Sequence, residues 1–136
     1  MRRSVGAMNA MSLEGLSLFR RLSADERRRV APWTDEVSVA AGRELAAEGN
    51  FAHEFFVIAE GSAAVLQDGE HVGDLGPGEF FGELGLLATE RRTATVVSTT
   101  PMKLVVMFQR EFKQMEHEMP AAGNRIRAAM RARLNS

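Results

Sequence analysis

A carboxylate and a guanidinium nine positions apart, Glu83 and Arg92, stand in the stretch of this chain whose residue types are best suited to chemistry. Glu83 lies in Phe80-Phe81-Gly82-Glu83-Leu84-Gly85-Leu86-Leu87, and Arg92 opens Arg92-Thr93-Ala94-Thr95-Val96. Gly82 lets the backbone turn tightly, and a short helix beginning near Leu84 would aim free amides at an anion. Arg92 is a fixed cation able to donate two hydrogen bonds to phosphate oxygens. Ionised Glu83 only accepts, which suits paired donors such as a sugar hydroxyl and a nearby N–H. A carboxylate beside a phosphate repels it unless the arginine lies between or beside them. The groups needed to hold a small ribose phosphate are thus gathered in one short stretch.

The elements that must position these groups are mostly strands. From Asp35 to Phe108, short apolar runs are separated by Gly, Asp and Pro. Strands are predicted at Val37 to Val39, Phe55 to Ala59, Ala63 to Leu66, Val72 to Leu75, Thr93 to Val97 and Leu104 to Phe108. Asp68-Gly69 supplies a turn signal between two of them. Many short strands at this spacing predict a sandwich or a jelly-roll barrel. Helices flank them. Ser23-Ala24-Asp25-Glu26 is a capping-box pattern that starts a helix running to about Ala31, with Pro32 soon after. Beyond Phe108 the period becomes helical, first over about Gln109 to Glu118. Pro120 then opens a second helix reaching about Leu134, with Ile126, Met130 and Leu134 on one face. Residues Met1 to Met11 lack periodicity and are expected to form a loose N-terminus, leaving 12–136 as one domain.

Composition narrows the function classes. The chain has 136 residues, enough for one core and too few for two domains. A net charge of −1 gives no general attraction to nucleic acid or membranes. No cysteine is present, which excludes disulfides, thiolate catalysis and cysteine metal sites. No apolar segment has the length of a signal peptide or a bilayer span, so a cytoplasmic protein is expected. Basic residues are mostly arginine, Lys103 and Lys113 being the only lysines; with the many alanines this suggests a GC-rich bacterial genome.

The stretch from Phe81 to Ala94 resembles the phosphate-binding cassette of cyclic nucleotide-binding domains. That pattern reads Phe-Gly-Glu-Leu-Ala/Gly-Leu, a short spacer, then Arg-Ser/Thr/Ala-Ala. Here it stands as Phe81-Gly82-Glu83-Leu84-Gly85-Leu86 and Arg92-Thr93-Ala94. Gly85 is similar to the catabolite activator branch, kinase regulatory subunits usually having alanine, and Arg91 replaces a frequent proline. Further similarity covers roughly residues 13 to 135, including Leu18-Phe19-Arg20-Arg21-Leu22-Ser23, Glu48-Gly49-Asn50, Phe56 to Gly61 and Gly76-Pro77-Gly78-Glu79-Phe80. The resemblance implies a mainly β fold: an antiparallel β-roll (jelly-roll-like, a double-stranded β-helix) with N-terminal helices and two C-terminal helices. It implies a stand-alone, non-catalytic sensor of a cyclic nucleotide, cyclic AMP being favoured, with no cofactor. The ligand would touch Phe81, Gly82, Glu83, Leu84, Gly85, Arg92, Thr93 and Ala94. Output would be conformational, through a hinge near Phe108 to Phe112 and the last helices, to an unidentified protein partner.

Plainer roles compete with these. Arg92 could be a surface arginine at a strand end, and Glu83 a first-turn carboxylate stabilised by a helix dipole. Thr93 is equally at home as a β-branched strand residue or near the base, where the family associates threonine with guanine recognition. A cyclic GMP binder and a scaffold or dimerisation domain of the same fold therefore stay as alternatives. Arg125, Arg127, Arg131 and Arg133 read first as a solvated face complementing the helix end, and otherwise as a lid over the base or a contact for an acidic partner. Ile126, Met130 and Leu134 have three candidate roles: packing on the barrel, closing over the base, or pairing two subunits. His53, His71 and His117 are scattered, so neither a metal site nor a metal-dependent enzyme of related barrel fold is expected. Trp33 reads as a core or hinge residue near Pro32.

Overall fold

The structure, a computed structural model, describes residues 2–3, 19–49, 54–82 and 92–134. Glu83, Leu84, Gly85, Arg91, Leu18, Asn50 and His53 lie outside the described residues, as do the helix expected near Leu84 and most of the expected loose N-terminus.

Nine strands among the described residues form two antiparallel sheets. They are β1 Arg2–Arg3, β2 Asp35–Val39, β3 Glu44–Ala46, β4 Glu54–Glu60, β5 Ala63–Gln67, β6 Glu70–Leu75, β7 Phe80–Phe81, β8 Thr95–Ser98 and β9 Met102–Phe108. One sheet has the order β1-β2-β9-β4-β7 and the other β3-β8-β5-β6. Helix α1 (Ala24–Val30) and a 3-10 turn (Ala31–Trp33) precede the strands; α2 (Gln109–Glu118) and α3 (Pro120–Leu134) follow them. The architecture is the β-roll with flanking helices that the resemblance implies.

Strand β4 explains how the layers assemble. Phe55, Phe56, Val57 and Ile58 are all buried, an apolar run that marks a strand covered on both faces. Because side chains alternate, Phe56 and Ile58 enter the core between the sheets with Val37, Leu104, Val106, Ala63, Val96 and Phe81. Phe55 and Val57 point to the other side, where they join Phe19, Val30, Met107, Phe112, Ile126 and Met130 under the helices. Each such side chain contributes about 1.5–3 kcal/mol through burial.

The helices start where local chemistry provides. Ser23 Oγ accepts from the Glu26 amide at 3.1 Å, and Glu26 Oε1 accepts from the Ser23 amide at 2.8 Å. Chain entry to α2 uses Phe108 in extended conformation, and Pro120 begins α3, where its missing N–H costs nothing. Ile126 and Met130 are fully buried beneath the helices, so packing on the roll is the role they take; the Leu134 side chain lies outside the described set. Trp33 packs against the same cluster.

Four expectations need correction. Strand β8 begins at Thr95, so Thr93 and Ala94 lie in a bend before it. Strands β3 and β7 are unforeseen; both are short, and their partners β8 and β4 hold them. Arg2–Arg3 pairs with β2 at Ser38 and Val37, where a loose terminus was expected. Finally, the arginines of α3 are not a uniformly solvated face. Arg127 makes two hydrogen bonds to Glu116, at 2.9 and 2.7 Å, and Arg125 pairs with Glu26 of α1.

Candidate functional site

The site is built on β4 and β7. Their register sets Phe56 opposite Phe81 and Val57 opposite Phe80, so the paired Phe-Phe dipeptides serve both cores. Phe56 and Phe81 stack inside the roll with ring centroids 4.7 Å apart, while Phe55 and Phe80 tilt against each other at 5.6 Å under the helices. Such pairs add about 0.5–1.5 kcal/mol beyond burial.

Gly82 follows Phe81 with φ +83°, which an L side chain rarely adopts. The approach is also too close for one. A Cβ here would lie 2.6 Å from Arg92 Nη1 and 2.7 Å from the Glu54 carbonyl oxygen. Arg92 reaches across 38 positions of sequence to donate Nη2–H to that Glu54 carbonyl at 3.1 Å. Its guanidinium carbon sits 5.9 Å from the Phe56 ring centroid, within cation–π range. A glycine without a side chain, a carbonyl and an aromatic face therefore fix one half-buried guanidinium at the end of the inner core.

The backbone carrying Arg92 is braced as well. The Arg92 carbonyl accepts from the Gly49 amide at 2.9 Å, and the Thr93 carbonyl from Gln67 Nε2 at 3.2 Å. The Thr93 side chain is exposed and Ala94 is half-buried. Of the eight residues expected to line the site, the structure thus brings together Phe81, Gly82 and Arg92, with Thr93 and Ala94 continuing from Arg92. Glu83, Leu84 and Gly85 lie outside the described residues.

Glu54, Phe56, Gly49 and Gln67 were not read as site residues. Only Phe56 carried a signal, its place in an unbroken apolar run; the other contacts are made by backbone atoms or across strands far apart in sequence. Among the described residues, no group of three or more His, Asp or Glu could hold a metal ion, and no helix is long and apolar enough to cross a membrane. His71 is engaged with Asp74 at 2.9 Å on an exposed hairpin.

On the helical side, Arg127 lies 5.5 Å over the Phe112 ring while Glu116 grips it through both oxygens. Those hydrogen bonds raise the pKa of its guanidinium further. Glu26 is shifted the opposite way: the Ser23 amide first, then Arg125, hold its carboxyl below the usual carboxylate range.

Comparison with known proteins gives one consistent answer. A family model described as "Cyclic nucleotide-binding domain" matches residues 36–118. A cAMP-dependent protein kinase regulatory subunit from Neurospora crassa is 32% identical over 105 residues, which make up 76% of this chain and 27% of that protein. The chain thus spans about a quarter of the length of that curated relative. Among solved structures, the regulatory domain of Toxoplasma gondii PKA with cAMP is similar at TM-score 0.72 and 25% identity, covering 86% of this chain and 46% of that one. A cyclic nucleotide-binding domain from Methylobacillus flagellatus matches at TM-score 0.85 and 21% identity, covering 96% and 82%, and supports the fold.

Proposed function

The chain belongs to the cyclic nucleotide-binding domain family, and we propose on that footing that it is a non-catalytic sensor of cyclic AMP. Arg92 takes the cyclic phosphate. Gly82 and the segment after it close around that phosphate, and Glu83 accepts the ribose 2′-hydroxyl. Leu84, Gly85, Thr93 and Ala94 complete the wall. The observation that carries this reading is the placement of Arg92: its guanidinium is aimed by the Glu54 carbonyl and the Phe56 ring, beside a glycine whose side chain would collide with it. A guanidinium held in a fixed direction suits recognition of an anion with two oxygens to offer.

Output is carried by α2 and α3. They pack on the outer face of the sheet whose inner face holds Phe56, so a shift of β4 on ligand entry is felt directly under Phe112 and Ile126. Ligand moves these helices only to the extent that it binds one arrangement better than the other. A protein partner reads their position.

Calorimetric titration of the protein with cyclic AMP and cyclic GMP tests the reading. Saturable binding of cyclic AMP, tighter than cyclic GMP, is expected. Tighter binding of cyclic GMP would change the ligand while keeping the site. Binding of neither would leave the fold serving as a scaffold.

A further inference from the structure

Two segments far apart in sequence, 48–49 and 67–68, converge on the backbone that carries Arg92. Gly49 donates its amide to the Arg92 carbonyl at 2.9 Å, and the Glu48 amide reaches Thr95 Oγ1 at 3.0 Å. The Glu48 carboxylate then accepts from the Asp68 amide at 3.0 Å. Asp68 stands at the tip of the β5–β6 hairpin with φ +52°, the one described residue other than glycine in the left-handed region. Next to it, Gln67 Nε2 donates to the Thr93 carbonyl at 3.2 Å. One side chain, Glu48, therefore ties the hairpin tip to the turn that grips Arg92.

We propose that Glu48 is a positioning residue for the anion-binding arginine, setting the angle at which Arg92 enters the roll. The inference rests on the reading of Arg92 as the phosphate ligand. Glu48 needs only an acceptor oxygen for this role, not a charge. Its carboxylate faces the Asp68 amide, so an amide oxygen in its place keeps the tie, whereas a methyl group loses it.

The experiment compares the native protein, Glu48→Ala and Glu48→Gln. Cyclic AMP affinity is measured by calorimetry, and the Arg92 Nε–H resonance by NMR in the ligand-free protein, assigned by its loss in Arg92→Lys. Glu48→Ala is expected to weaken binding about three- to tenfold, the worth of one ordinary hydrogen bond, and to move the Arg92 resonance. Glu48→Gln should restore both. The inference is overturned if Glu48→Ala binds like the native protein, if alanine and glutamine weaken binding alike, or if the Arg92 resonance stays in place. Should Glu48→Ala not fold, Thr95→Val removes the neighbouring tie from the Glu48 amide and is read by the same two measurements. If the native protein binds no cyclic nucleotide, the functional reading fails; the resonance in the ligand-free protein then decides the role of Glu48 independently.

Discussion

Arg92 and Arg127 each lie over a phenylalanine ring, at 5.9 Å from Phe56 and 5.5 Å from Phe112, and each has a glycine beside its partner. Gly82 makes room for the Arg92 guanidinium, and Gly123 for Glu116, whose Cγ would be 2.8 Å from a Cβ there. The acceptors differ. Glu116 meets Arg127 with two carboxylate oxygens, while Glu54 offers Arg92 a backbone carbonyl. Glu116 binds α3 to α2 through that pair, whereas the Glu54 carbonyl and the Phe56 ring fix the direction of the Arg92 guanidinium. The first arrangement is a joint between α2 and α3; the second lies at the proposed phosphate site. Arginine over an aromatic ring is thus no signature of function by itself.

Exchanging the two arginines for alanine separates the roles most sharply. Arg92→Ala is expected to cost about 2–5 kcal/mol of cyclic AMP binding, the range for truncating one member of a buried charged pair. Arg127→Ala should instead lower stability by about 1.5–3 kcal/mol, the worth of hydrogen bonds to a charged group, with ligand affinity nearly unchanged. Calorimetric titration and thermal unfolding of both variants check this, and equal losses of affinity would erase the distinction.

The glycines give a finer version of the same contrast. Gly82→Ala combines a left-handed φ with a collision at Arg92 Nη1, so about 1–3 kcal/mol of strain is expected, together with weaker ligand binding. Gly123→Ala pushes on the Glu116 side chain and should lower the unfolding midpoint alone. If Gly82→Ala leaves affinity intact, Arg92 is not the group that Gly82 accommodates for binding.

On the Arg92 side, Thr93→Ala removes an exposed hydroxyl next to the proposed phosphate ligand. Cyclic GMP is expected to lose about 0.5–1.5 kcal/mol, one ordinary hydrogen bond, and cyclic AMP less. An unchanged ratio of the two affinities would place base selection outside Thr93.

The smallest effect belongs to the helical side, at Glu26. Its carboxyl is held below the ordinary value by the Ser23 amide and Arg125, so the folded state favours the ionised form. The stabilisation is present above the unfolded-state value, near pH 4.5, and fades as pH falls through the lowered folded value. The pair is partly exposed, so the contribution stays under about 1 kcal/mol. Unfolding midpoints measured from pH 6 to pH 3 should fall less steeply for Glu26→Gln than for the native protein, and parallel curves would refute the coupling.

What lay within a few residues was legible in the chain. Ser23 and Glu26 specify a capping box by themselves, Pro120 opens α3, and Asp68-Gly69 turns the β5–β6 hairpin. The Gly82 and Arg92 pattern suggested a phosphate site from residue type and local spacing, and the fold brings those two residues together. Tertiary structure decided the rest. Strands Glu44–Ala46 and Phe80–Phe81 are too short to show a period and exist because β8 and β4 offer them hydrogen bonds. Thr93 was read as strand on its β-branching, yet Gln67 holds its carbonyl in the bend before β8. One acceptor of Arg92 is a carbonyl 38 positions away, and every residue has a carbonyl. Glu116 and Arg127 likewise find each other only once two helices approach at Gly123. Sequence determined which groups were present and which turns they made; packing of distant segments determined what each charge faces, since backbone acceptors and helix contacts leave no mark in residue type.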